Sequence, residues 1–187
     1  MKSINQFIVN PLGEKRYSNT KNIGGIDFIV STSEEDHKFS NRYATVVATP
    51  ILYDGPISIG DTLLVHHNVF KFYNDMKGRR RSGKSFLREN DFLLDYDQFF
   101  AYKKNGSWFG HDKFCFVKPL PKEDSYIYKP FTFEPLVGEI TIINEHLTDS
   151  GLKVGDKVSF KPDSEYEFLV DDERMYRLYD HAITLLL

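Results

Sequence analysis

Cysteine is nearly absent from this chain: its 187 residues hold one, Cys115. A lone cysteine excludes an internal disulfide, and with it the stapled scaffold of small secreted domains. Cys115 lies in the apolar run Phe114-Cys115-Phe116-Val117, which suits a small buried hydrophobe better than a nucleophile. Long hydrophobic runs are missing as well. Nothing approaches membrane-spanning length, and the opening "MKSINQFIVNPLGEKR" lacks the apolar core of a signal peptide, so a cytoplasmic protein with no membrane partner is expected. Charge of one sign is also scarce. The net charge is −3, and the chain as a whole has no electrostatic footprint for nucleic acid. Helical periodicity is the last absence, since no long segment repeats its apolar residues at helical spacing.

Aromatic residues are plentiful, with 16 Phe and 11 Tyr, and they favour pleated, half-buried surfaces. Short β-rich runs separated by turn residues fill the chain. They include Gln6–Val9, Tyr43–Ala48, Thr62–His66, Phe92–Leu94 and Phe99–Lys103, then Phe114–Lys118, Gly138–Ile143, Lys157–Phe160 and Met175–Leu178. This pattern predicts an all-β chain built of small barrels.

Three short matches recur in the same order. Val9-Asn10-Pro11-Leu12 returns as Val117-Lys118-Pro119-Leu120, and Ile59-Gly60-Asp61-Thr62-Leu63 returns as Val154-Gly155-Asp156-Lys157-Val158. Tyr96-Asp97-Gln98-Phe99-Phe100 returns, more loosely, as Tyr179-Asp180-His181-Ala182-Ile183. A shared order points to tandem domains, expected at residues 1–105 and 112–187 with a junction around Asn105–His111. Gly60-Asp61 and Gly155-Asp156 read as structural corners. The glycine supplies positive φ, and the aspartate can accept bonds from nearby backbone N–H groups.

The stretch "GRRRSGKS", Gly78 to Ser85, matches the phosphate-loop pattern G-x-x-x-x-G-K-[ST]. Such a loop needs a buried strand before it and a helix after it. Here polar Tyr73–Lys77 precedes it, and the turn-prone Phe86–Asp91 follows. The better reading is a basic hairpin in which Val69–Tyr73 pairs with Ser85–Leu87, with Gly78 and Gly83 at its tip. The adjacent His66-His67 would point to opposite faces of a strand, and no other histidines pair at metal-ligand spacing, so no metal site is expected. The acidic turns at Asp163–Glu165 and Asp171–Glu173 lack the ligand pattern of a calcium loop. No catalytic set and no cofactor emerge.

The second half resembles a GroES-type co-chaperonin subunit. The resemblance rests on "GEITIIN" from Gly138, "LKVGDKVSFKP" from Leu152 and "YEFLVDDERMYRLYDHAITLLL" from Tyr166. The first half is similar through "QFIVNPL", "NIGGIDFIV" and "ISIGDTLLV". The resemblance implies two tandem GroES-like small irregular β-barrels, the first with a long mobile loop and an inserted hairpin. It also implies a non-enzymatic, homo-oligomeric co-chaperonin that caps a chaperonin ring and assists protein folding. Gly24, Gly25 and Ile26 match the family's G-G-I, and Asp27 departs from its apolar preference. The implied anchor is then either Ile26 with Phe28, or Phe28, Ile29 and Val30. The second copy has no G-G-I, leaving Tyr126, Ile127 and Tyr128 as weak candidates. A duplicated, loop-extended chain looks most like the co-chaperonins that viruses encode, which would place it in a host cytoplasm.

Glu14–Phe28 is polar and glycine-containing up to its apolar triplet, and is expected to lack fixed structure in the free protein. The plainer reading is an ordinary strand over Ile26–Ser31 with no binding role, its glycines marking a hairpin, because Ile26, Phe28 and Val30 alternate as a buried strand face would. Two rivals come from other classes. One is a nucleic-acid-binding barrel using Arg79, Arg80, Arg81 and Lys84 against phosphate, with Phe72 and Tyr73 for stacking. The other is a small phosphate-loop kinase dependent on Lys84.

Overall fold

A computed structural model describes residues 3–17, 20–29, 40–122 and 133–187. The chain is all-β and divides into two compact units, Met1–Gly106 and Ser107–Leu187. Among the described residues the first unit contains β1 (Phe7–Pro11), β2 (Thr20–Ile23), β3 (Ile26–Ile29), β4 (Tyr43–Ala48), β5 (Thr62–Val65), β6 (Phe72–Asn74), β7 (Arg80–Ser82), β8 (Phe86–Arg88), β9 (Asp91–Leu94) and β10 (Phe99–Lys104). The second contains β11 (Ser107–Gly110), β12 (Phe114–Pro121), β13 (Phe133–Ile142), the short helix α1 (Glu145–Asp149), β14 (Lys157–Phe160), β15 (Tyr166–Val170), β16 (Glu173–Tyr179) and β17 (Ile183–Leu186).

The main sheets of the two units have the same topology. In the first, β1 lies between β4 and β9, and the order runs β10-β5-β4-β1-β9-β8. In the second, β12 lies between β13 and β16, and the order runs β17-β14-β13-β12-β16-β15. Each strand of one order has its counterpart at the same place in the other. Even an irregularity repeats: the ladder shifts register between Ile8 and Val9 in β1, and between Phe116 and Val117 in β12. A β-bulge at equivalent positions is a local feature that independent sheets have no reason to share. Among the described residues neither sheet closes on itself by hydrogen bonding, so the expected small barrels appear as open, antiparallel sheets.

The cores follow from alternation. In β4, Ala44, Val46 and Ala48 face inward while the residues between them are half-buried, as expected for a sheet with one covered face. Val9, Val46, Leu63, Phe92 and Phe99 meet in the first core. Val117, Ile140, Val158, Cys115 and Leu178 meet in the second.

The Gly-Asp corners are built alike. Gly60 and Gly155 adopt φ of 94° and 96°, a region costly for any residue with a Cβ. The Asp61 and Asp156 carboxylates accept backbone N–H bonds from Ser58 and Lys153, both at 2.8 Å. Gly60 N–H donates to the Val46 carbonyl at 2.9 Å, and Gly155 N–H to the Ile140 carbonyl at 2.8 Å. The third sequence match needs a one-residue correction. A 3-10 turn spans Tyr96–Gln98 before β10 and Asp180–Ala182 before β17, so Tyr96 corresponds to Asp180 and not to Tyr179. The backbone agrees, because His66 N–H meets the Gln98 carbonyl at 2.8 Å where Lys161 N–H meets that of Ala182 at 2.9 Å.

Candidate docking site

Strands β2 and β3 form a two-stranded sheet of their own, apart from the main sheet of their unit. Ile23 pairs with Ile26 across Gly24-Gly25, and Lys21 pairs with Phe28. Both glycines have positive φ, 63° and 87°. The tight two-residue hairpin turn of type I′ requires that sign at both central positions. Strand alternation then sets the faces. Ile23, Ile26 and Phe28 share one face of the hairpin, and Asp27 falls at the alternate register position.

That apolar face is uncovered. Ile23, Ile26 and Phe28 are 57 %, 62 % and 49 % exposed, and none belongs to either core cluster. The plainer reading holds for the strand and for the glycine hairpin, but the face it expects to be buried carries exposed Ile26 and Phe28. Of the two anchors the sequence allows, Ile26 with Phe28 are the two that share a face. Ile29 falls at the alternate position, and Val30 lies outside the described residues. The sequence reading missed Ile23. Its signal was the frame Ile23-Gly24-Gly25-Ile26, in which a two-glycine turn makes its flanking residues a cross-strand pair.

The expectation that Glu14–Phe28 lacks fixed structure is corrected by the paired strands β2 and β3, and the segment is built at its base as well. Leu12–Glu14 form a 3-10 turn. Tyr17 is buried and bridges to Ser40 in antiparallel fashion, and the Ser40 hydroxyl donates to the His67 carbonyl at 2.7 Å. Asn41 ties down the stretch before it, donating through Nδ2 to the carbonyls of Leu12 (2.9 Å) and Lys15 (2.7 Å). Tyr17 and Ser40, which bracket the part of the β1–β4 connection that carries the hairpin, are thus held together.

The basic hairpin stands on the same base, with different arms from those expected. Phe72 pairs with Ser82, Tyr73 with Arg81 and Asn74 with Arg80. Val69 and Phe70 are instead buried in the core, and Phe86 pairs with Phe92 of β9. Gly83 sits at the root and not at the tip, its N–H donating to the Lys71 carbonyl at 3.1 Å. Gly78, with φ of 72°, does lie at the tip. The phosphate-loop match therefore runs from a hairpin tip along a strand into a tight turn, and β8 stands where a phosphate loop would start its helix.

Aromatic and cationic side chains lock the root of this hairpin. The Tyr17 and Phe72 rings stack at 6.0 Å, and Phe72 N–H donates to Tyr17 Oη at 3.1 Å. The Arg16 guanidinium lies 4.2 Å from the Phe72 centroid and 4.6 Å from that of Phe92, and it donates to Ser82 Oγ at 2.9 Å. Burial, with the nearby Arg80 charge adding to it, pulls the Arg16 pKa below its ordinary value. Arg80 covers Phe72 at 3.7 Å. With Tyr17, Arg16 and Arg80 all on this ring, Phe72 is already engaged, which removes one of the two aromatics proposed for stacking bases.

Other singled-out residues are placed as follows. Cys115 is fully buried, and burial, helped by the Asp180 charge, pushes its thiol up to about 12. His66 and His67 do not point apart: β5 ends at Val65, and their ring centroids lie 4.1 Å from each other. Among the described residues no group of three His, Cys, Asp or Glu could hold a metal ion, and no helix is long and apolar enough to cross a membrane. Tyr126, Ile127 and Tyr128 lie outside the described residues. Comparison with protein-family models and with curated proteins finds no match to this chain.

Proposed function

We propose that this chain is a docking protein of the co-chaperonin type, a non-enzymatic cap that engages a chaperonin ring through the apolar face of the β2–β3 hairpin. The observation that carries the reading is the exposure of Ile23, Ile26 and Phe28 together on one face of a hairpin outside both cores. Supporting it are the glycine turn that fixes that face, the duplicated β topology, and the sequence resemblance in the Gly-Asp corners and closing strands. In this reading the ring holds the nucleotide, and copies of the chain act together.

Burying an Ile or Phe side chain is worth about 1.5–3 kcal/mol. Ordering a free segment costs about 1–2 kcal/mol per residue. A hairpin already formed has less ordering left to undergo on binding, so three side chains suffice for a weak but specific contact. Several such contacts on one ring become strong together, because each after the first is intramolecular.

The test is co-sedimentation with an ATP-loaded GroEL-type chaperonin. The double variant Ile26→Asp, Phe28→Asp is expected to remain in the supernatant while keeping the wild-type thermal transition, since both side chains are exposed. Unchanged sedimentation of the variant would remove the hairpin from the interface.

A further inference from the structure

The β6–β7 hairpin has no counterpart in the second unit, where β14 leads directly to β15, and the reading above gives it no task. It is a constructed finger. At its tip Asp75 Oδ1 accepts the backbone N–H groups of Lys77 and Arg79, each at 2.9 Å, and Oδ2 meets Arg81 Nε at 3.4 Å. These bonds, that from the Arg79 N–H above all, hold the Asp75 carboxyl below its ordinary pKa. The tip so fixed presents Met76 wholly to solvent, flanked by exposed Lys77 and Arg79. Met is the residue that adapts best to an irregular apolar surface.

Basic charge is concentrated in this stretch of the sequence. Between Lys71 and Lys84 six basic residues face one acidic residue, Asp75, in a chain whose net charge is −3. Like charges crowded on an exposed finger repel one another, and a surface of opposite sign relieves that repulsion. The root of the finger is also tied to the chain just ahead of the apolar hairpin, through the Tyr17–Phe72 stack and the Arg16–Ser82 bond.

We infer that the β6–β7 hairpin is a second docking arm, and that it takes an acidic protein surface beside the apolar groove that receives Ile23, Ile26 and Phe28. This rests on the docking role proposed above. A protein surface fits better than nucleic acid on two grounds. The Phe72 ring is already engaged by Arg16, Tyr17 and Arg80, and a phosphate backbone offers nothing to Met76 or to the apolar face alongside. The division of labour is physical: the finger steers and orients, and the apolar hairpin holds.

The experiment uses the full chain and two variants chosen at the tip, away from the packed root: Lys77→Glu with Arg79→Glu, and the milder Lys77→Gln with Arg79→Gln. Association with an ATP-loaded chaperonin is measured at low and high salt, and binding to immobilised polyglutamate and to a single-stranded oligonucleotide is measured in parallel. The charge reversal is expected to slow association with the chaperonin at least tenfold at low salt and to flatten its salt dependence, with the neutral variant intermediate. It is also expected to abolish polyglutamate binding, which Ile26→Asp with Phe28→Asp leaves intact. Unchanged association and polyglutamate binding in the charge reversal would overturn the inference. So would a wild-type preference for the oligonucleotide over polyglutamate, or loss of self-association as the only effect. If the wild-type chain ignores the chaperonin yet binds polyglutamate through Lys77 and Arg79, the capping role fails and the acidic-surface arm stands.

Discussion

Gly60 and Gly155 hold nearly the same φ at equivalent corners, with open space where a Cβ would stand. Backbone conformation alone therefore sets the cost of a side chain there, about 1–2 kcal/mol for leaving the right-handed regions. Gly60→Ala and Gly155→Ala are each expected to lower the urea stability of their own unit by about that amount. Equal losses would reflect equal geometry, whereas a loss at one site alone would show that the corners are not equivalent. Cys115 gives the pH prediction. Its thiol rises from 9.0 to about 12 on burial, so folding favours the protonated form. The associated stability is complete below pH 9 and is lost as pH climbs towards 12, because the unfolded chain releases its proton first. Urea midpoints at pH 8 and pH 10.5 should show the fall, to which Tyr53, also raised by burial, adds, and Cys115→Ala should make the fall smaller.

At the scale of elements the proposed docking rests on the β2–β3 hairpin, and the hairpin rests on its turn. A two-stranded ribbon is only marginally stable by itself, so a strained turn residue is enough to open it. Gly24→Asn keeps a residue that tolerates positive φ and should dock like wild type. Gly25→Val puts a β-branched side chain at φ 87° and should weaken docking about tenfold, in line with a cost of about 1–2 kcal/mol, without moving the main thermal transition. Equal docking by both variants would mean that the turn does not set the face.

Elements fixed by local pattern were readable in advance. The alternation Ala44, Val46, Ala48 placed β4, and the Gly-Asp pairs placed the corners. Elements fixed by tertiary contact were not. Val69 and Phe70 look like a hairpin arm, yet they go to the core, because the buried Phe92 ring packs edge-on against Phe70 at 4.9 Å. The glycine pair announced a turn, but only register showed that Ile23 completes the apolar face. Helix α1 left little trace, since five residues carry no readable period. Its anchor is Asn144, whose side chain accepts the Leu147 N–H at 3.1 Å.

Across the whole molecule one sheet order appears twice; among the described residues the basic finger between β5 and β8 has no counterpart between β14 and β15, and the first unit also carries the apolar hairpin between β1 and β4. Duplication supplies a scaffold, and in the proposed reading the two hairpins supply the contacts, on loops held by a sheet, where sequence change is least costly to the fold. The resemblance in the sequence was carried mostly by corner and core residues, which specify the scaffold. The docking residues are few, exposed and free of packing constraints, so their meaning depends on which face they share.

The most direct measurement is site-specific photocrosslinking of the full chain, with a photoreactive phenylalanine analogue replacing Phe28 and, in a control, exposed Leu169 of β15. The account predicts that an ATP-loaded chaperonin ring is captured through position 28 and not through position 169. Capture through 169 alone, or crosslinks from position 28 that stay within the chain itself, would contradict it.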